Sequence, residues 1–440
     1  MVYNKVVREN TNLKRRMMMN KKENVVGFIL LIVLLIAGKT MLASNVLFIR
    51  LLFGLGLGYT LSRAYTGFAG SVNRAYNTGS TKLMRTLMLL FFLTALASTG
   101  YFFLADASQF DLWVNPINTG LILGGILFGF GMAFSSCCAS GVLTDLVTAL
   151  PRAGVTFIFF CMGVFLGYPV QNSQSWIINS WFTSETGKAL GTNGVFLPDL
   201  FKSDGTNGYL GALILTGIFA LIVVALSFLY EKKRRNANTY YGVLSERMQD
   251  EAPKLDVKNF NVANQDTYYQ LFVAPWSLKQ GAVILTLIFT VMMGVTKAGW
   301  GASTPYGMWF GKFLMLFGVS ADSLAEFTKM APEFYSNPLL ENGVSVQNFG
   351  ILFGTIIFLL TSGQFKRTFM SEMNLTGKEA LLYALGGICM GFGTRLSNGC
   401  NVGALYTPIA NFSLSGWIFL IPLVIGAILG NKFSDKWYGK

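Results

Sequence analysis

Two runs of this chain, Leu210–Tyr230 and Ser413–Gly430, contain no charged residue and are apolar almost throughout. A helix needs about 20 such residues to cross roughly 30 Å of hydrocarbon, whereas a membrane barrel alternates polar and apolar positions over segments of about 10. Of the 440 residues, 52% are hydrophobic and 12% charged, too few charges to cover a soluble globule of this size. The expected fold class is an all-α polytopic membrane protein of about 9–10 transmembrane helices, with the lipid bilayer as its solvent.

Composition removes several functions. The formal net charge is +13, but the basic residues flank apolar runs instead of forming one face, so they report topology and no nucleic-acid partner is expected. Histidine is absent. This takes away the commonest neutral-pH proton shuttle and the commonest transition-metal ligand, so neither a metal nor a cofactor is expected. The glycine cluster Gly54–Gly58 follows no strand and precedes no Gly-Lys-Ser/Thr, so it reads as close helix packing and not as a phosphate loop.

Loop charge gives the organisation. Lys5, Arg8, Lys14, Arg15, Arg16, Lys21 and Lys22 precede the first apolar run, which places the N-terminus in the cytoplasm. Arg63, Arg74, Lys82 and Arg85 mark a second cytoplasmic segment, and Glu231–Arg235 opens a third. The expected units are 1–45, the N-terminus and first helix; 46–170, a first repeat; 171–230, an outer loop and connecting helix; 231–280, a cytoplasmic linker; 281–430, a second repeat; and 431–440, a cytoplasmic tail. Arg50 reads as an interfacial anchor. Pro151 reads as the stop of a short segment, 141–150.

The two repeats carry one motif each. Gly124-Gly125-x-x-x-Gly129-Phe130-Gly131-x-x-x-Ser135-x-x-Cys138-x-x-Gly141 recurs as Gly386-Gly387-x-x-x-Gly391-Phe392-Gly393-x-x-x-Ser397-x-x-Cys400-x-x-Gly403. Loop charge sends the chain into the first motif from outside and into the second from inside. This predicts an inverted-topology repeat, with re-entrant half-helices at 141–150 and 401–411. A cysteine ahead of a short helix meets free N–H groups and the positive end of the helix dipole, a setting that favours a thiolate and small anions. Cys138 and Cys400 are the candidate thiols, Ser135, Ser397 and Asn398 the candidate donors, and Arg395 either a cation for the solute or a snorkelling side chain. Cys137 has no match in the second copy, where Gly399 stands, and Cys161 and Cys389 read as packing residues.

At these residues the chain resembles the YeeE/YedE family of sulfur transport proteins, with weaker likeness around Arg63–Arg74 and Gly299–Gly311. The resemblance implies a bacterial inner-membrane permease, not an enzyme, that takes up a small sulfur-containing anion such as thiosulfate past Cys138 and Cys400. It also implies a small cytoplasmic sulfur-carrier protein as a partner. The family pattern has a further cysteine in the segment corresponding to Arg63–Phe68, which this sequence lacks. A selenium species is therefore the alternative solute, and a sulfurtransferase forming a cysteine persulfide the alternative chemistry.

Overall fold

A computed structural model describes residues 20–103, 107–253, 255, 257–258, 260–261 and 264–439. Most of the basic N-terminal cluster therefore lies outside the described residues. Among those described there are nine helices long and apolar enough to cross a membrane, and no strand beyond two isolated bridges. The chain is an all-helical, multi-pass membrane protein.

Numbered in chain order, the helices used below are α1 (Lys21–Met41), α2 (Asn45–Ala64), α3 (Gly70–Thr78), α4 (Lys82–Phe102), α5 (Thr119–Ser135), α6 (Gly141–Thr148) and α7 (Leu150–Ser173). They continue as α8 (Tyr209–Asn236), α9 (Leu244–Asp250), α10 (Leu278–Thr296), α11 (Thr304–Met315), α12 (Gly343–Thr361), α13 (Gly377–Leu396) and α14 (Leu414–Tyr438). Local chemistry sets several ends. The Asn118 side chain caps α5 by accepting from Leu121 N at 2.9 Å, and Thr376 with Glu379 forms a capping box at the start of α13. Pro151 does not stop α6. It sits in the first turn of α7, where its missing N–H has no intrahelical partner to lose.

The paired glycines explain how the central helices pack. On α5, Gly124 and Gly131 face α13, where an added Cβ would lie 2.6 Å from Gly393 O and 2.4 Å from Gly386 O. Gly125 and Gly129 face α14, against Pro422 and Leu423. On α13 the neighbouring pair does the same job toward α7: a Cβ on Gly387 or Gly391 would meet Thr156 O at 2.5 Å or Phe160 O at 2.3 Å. Each Gly-Gly step thus serves two partner helices at backbone contact. The pairing order runs Gly120 to Leu396, Gly124 to Gly393 and Gly131 to Gly386, so α5 and α13 are antiparallel. By the same test α7 is parallel to α13, with Thr156 at Gly387 and Gly167 at Arg395. Helix α5 is parallel to α14, with Gly125 at Pro422 and Phe130 at Gly430.

The periphery differs. Only 11% of the apolar window of α1 and 22% of that of α8 is buried, against 67% for α12, so the first two present most of their surface to lipid. The segment between α8 and α10 folds back onto one face of the bundle. There Glu246 of α9 pairs with Arg74 at 3.3 Å and accepts from Ser80 Oγ at 2.6 Å, while Gln249 Nε2 donates to Ala64 O at 2.7 Å. Arg63 secures its far end by donating to Ala274 O and Gln270 O, each at 2.9 Å, and to Leu271 O. This is called the linker face below.

Candidate functional site

Both motif cysteines sit at the same kind of break. Helix α5 ends in Ser136 with φ 55°, and α13 is followed by Asn398 with φ 55°, the corresponding motif position. Two residues on come Cys138 and Cys400, each 1% exposed. The carbonyl of each opens a short helical segment: Cys138 O accepts from Val142 N at 2.7 Å, and Cys400 O accepts from Ala404 N at 2.6 Å. After Cys138 the segment is α6; after Cys400 it is a π-helical turn, Asn401–Tyr406, continuing into Thr407–Ala410. The sulfur of Cys400 lies within reach of the backbone N–H groups of Val402 and Gly403 and of the Ser303 side chain. Cys138 Sγ lies 3.5 Å from Ser140 Oγ. The two thiols are close enough to each other to interact electrostatically.

Two cavities approach this pair. One, of about 630 Å³, is lined by Trp113, Asn115, Tyr168, Gln171, Ser303, Arg395, Asn398, Gly399 and Gly403. The other, of about 400 Å³, is lined by Tyr65, Arg74, Cys137, Cys138, Ser140, Asp145, Arg152 and Glu372 among others. Helix α7 orders them, because Arg152 near its start lines the second and Tyr168 near its end lines the first. Those residues are separated by about 24 Å along the helix at 1.5 Å per residue. The second cavity is on the linker face, where Arg74 meets Glu246; the first is on the opposite face.

The two cavities differ in charge. In the linker-face cavity the cations are neutralised: Arg152 pairs with Asp145 at 3.0 Å and Arg74 with Glu246 at 3.3 Å. In the opposite cavity Arg395 is 3% exposed, and its described contacts are all neutral. Nη2 donates to Ser303 Oγ at 3.0 Å, Nε to Thr394 Oγ1 at 3.1 Å and Nη1 to Gln171 Oε1 at 3.5 Å, and the guanidinium stands 5.2 Å from the Tyr168 ring centre. An uncompensated charge at such depth costs about 2.5–3.5 kcal/mol or more. The cation is thus held in place without being neutralised, next to a cavity and one hydroxyl away from Cys400.

The other sequence candidates divide. Asn398 lines the same cavity as Arg395, and its Oδ1 accepts from Gln171 Nε2 at 2.6 Å. Cys137 lines the linker-face cavity with Cys138. Its lack of a counterpart has a steric cause, since a Cβ on Gly399 would fall 2.4 Å from the Gly403 carbonyl carbon. Ser135 and Ser397 are fully buried, and their hydroxyls donate to the carbonyls four residues back, Gly131 O at 2.9 Å and Gly393 O at 2.8 Å. They hold the ends of α5 and α13 and do not face either cavity. Arg50 is not at an interface: it is 7% exposed and donates to Gln347 Oε1 at 2.9 Å and Gly299 O at 3.2 Å, drawn inward by the unwound backbone before α11. Among the described residues no cluster of three or more Cys, Asp or Glu could hold a metal ion.

Sequence reasoning missed Ser303 and Gln171, which with Thr394 position Arg395. The glycine-rich Gly299–Gly311 segment had been singled out, but a lone serine or glutamine there carries no periodic signal.

Known proteins can be compared with this arrangement. The probable transporter YedE of Escherichia coli is 31% identical over 172 residues, 38% of this chain and 41% of that protein. The segment matched thus spans about two fifths of the length of YedE. The thiosulfate transporter TsuA of Spirochaeta thermophila is 22% identical over 348 residues, covering 77% of this chain and 84% of that protein. TsuA of Escherichia coli is 22% identical over 379 residues, 86% and 91% of the two chains. The pattern defining the family described as Sulphur transport matches residues 63–429, both cysteine breaks and Arg395 included, and the chain therefore belongs to the sulphur-transport family.

Proposed function

We propose that this protein is a membrane permease that takes up a small sulfur-containing anion, thiosulfate in the first instance, along a route from the Arg395 cavity past Cys400 and then Cys138 to the linker-face cavity. One observation carries the reading: Arg395 is buried without a carboxylate among its described contacts, and it lines a cavity together with Ser303, which lies near Cys400. A fixed, unneutralised cation attracts an oxyanion, and the broken helix beside it offers backbone donors and a polarisable sulfur. The thiosulfate transporters among its relatives point to the same class of solute. At the far end the arginines are already paired, so the anion is bound weakly there and can leave.

The orientation follows from loop charge, with the linker face and both termini cytoplasmic in a bacterial inner membrane. In this reading 46–170 and 281–430 form an inverted repeat, supported by the antiparallel course of α5 and α13 and by the matching breaks at Ser136 and Asn398. Transport leaves the solute intact, which separates it from sulfur transfer. The test is uptake into proteoliposomes of thiosulfate with each sulfur atom separately labelled. Both labels should arrive in the lumen in equal amount; one label retained on the protein sinks the permease reading.

A further inference from the structure

The two cavities do not share a lining residue, and one turn of chain reaches from the first to the residue beside Cys138 in the second. Ser303, which lines the Arg395 cavity, begins it. Tyr306 ends it, its N–H donating back to Ser303 O at 3.2 Å. Tyr306 is fully buried, and its hydroxyl donates to the main-chain carbonyl of Ala139, the residue next to Cys138. The Ser303–Tyr306 turn therefore lies near Cys400 at one end and is bonded to the Cys138 turn at the other. Cys161, Cys400, Cys138 and Cys137 all stand close enough to the tyrosine to interact with it electrostatically. Phe157, Phe160 and Trp309 clamp its ring at centroid distances of 5.2, 5.3 and 5.3 Å.

On the proposed route an anion reaching Cys138 comes up beside the adjoining Ala139, whose carbonyl oxygen would repel it. Tyr306 supplies the one hydrogen now covering that oxygen, and a phenol has a single O–H to give. We infer that the Tyr306 ring is the partition between the two cavities and that its hydroxyl is an exchangeable donor, held by Ala139 O when the route is empty and given to an oxygen of the passing anion. This rests on the permease reading and narrows its solutes to anions that carry both an oxygen to accept that hydrogen and a terminal sulfur to meet the two thiols, which sulfate lacks.

The test uses the full-length protein in proteoliposomes with labelled thiosulfate and labelled sulfate as probes. Tyr306→Phe keeps the ring and loses the donor. Its maximal thiosulfate uptake should fall about tenfold, the scale of one hydrogen bond to a charged group. The half-saturating concentration should stay within about twofold of wild type, because the Arg395 site is untouched. Tyr306→Ala removes the ring and should let sulfate leak through vesicles that the wild-type protein and Tyr306→Phe keep tight. Where Tyr306→Ala does not give a monodisperse protein, Tyr306→Leu takes its place in the leak assay. Wild-type maximal uptake by Tyr306→Phe overturns the donor role, and sulfate-tight vesicles with the ring removed overturn the partition. Cys400→Ala run alongside keeps the two readings apart: its full activity would count against the thiol route, while the sulfate leak is read independently.

Discussion

Arg395 donates through Nη2 to Ser303 Oγ at 3.0 Å, and the same serine side chain lies within reach of the Cys400 sulfur. A cation and a thiol thus lie to either side of one hydroxyl, beside a cavity of about 630 Å³ that Arg395 and Ser303 line. The arrangement is preorganised: Ser303, Thr394 and Gln171 already hold the arginine beside the cavity an anion would enter.

Arg395→Met separates a functional cation from a structural one. Thiosulfate uptake should drop at least tenfold, while the melting temperature in detergent stays level or rises, because removing an uncompensated buried charge relieves a cost of about 2.5–3.5 kcal/mol. A melting temperature that falls together with activity would mark Arg395 as a structural element.

Helix approach can be tested at Gly391, whose added Cβ would stand 2.3 Å from Phe160 O, against Gly154, which has nothing within 4 Å. Gly391→Ala should destabilise the protein by about 1–3 kcal/mol through overpacking, and Gly154→Ala should be neutral or slightly stabilising. Thermal unfolding of both variants measures the difference, and equal melting points would contradict the packing described for α7 and α13.

The attachment of α9 rests on Glu246, 5% exposed and bonded to Arg74 and Ser80. Glu246→Ala leaves Ser80 without its acceptor and Arg74 with the Tyr65 carbonyl alone, and should cost about 1–3 kcal/mol. Limited proteolysis reads this directly, as faster cleavage within 231–275. An unchanged cleavage rate would mean that the linker is held without Glu246, by its other contacts such as the Lys82–Asp250 pair and those of Arg63 and Gln249.

Much of this architecture was legible beforehand, and the exceptions have physical causes. Apolar length located the helices, and the repeated Ser-x-x-Cys spacing located both breaks, because a helix that ends inside a membrane must leave a local mark. Ser135 and Ser397 misled because a helical serine can satisfy its hydroxyl on the carbonyl four residues back, which sequence does not distinguish from facing a cavity. Arg50 misled because its acceptors, Gly299 O and Gln347 Oε1, come from segments some 250 to 300 positions away. Ser303 and Tyr306 were invisible for the same reason: their partners Arg395 and Ala139 are distant in the chain.

Sidedness offers an independent check. An impermeant methanethiosulfonate reagent applied at the linker face should modify Cys137 and Cys138, which line that cavity, and leave Cys400 unmodified. Modification of Cys138 only from the opposite face would reverse the proposed direction of the route.

The most direct measurement is thiosulfate uptake by single cysteine variants reconstituted at equal amounts. Cys138→Ala and Cys400→Ala should each lose uptake while Cys161→Ala, at a position inside the continuous α7 and not at a helix break, retains it. Full activity in all three would show that the solute does not pass the two thiols, and the account of this protein as a thiol-lined permease would be wrong.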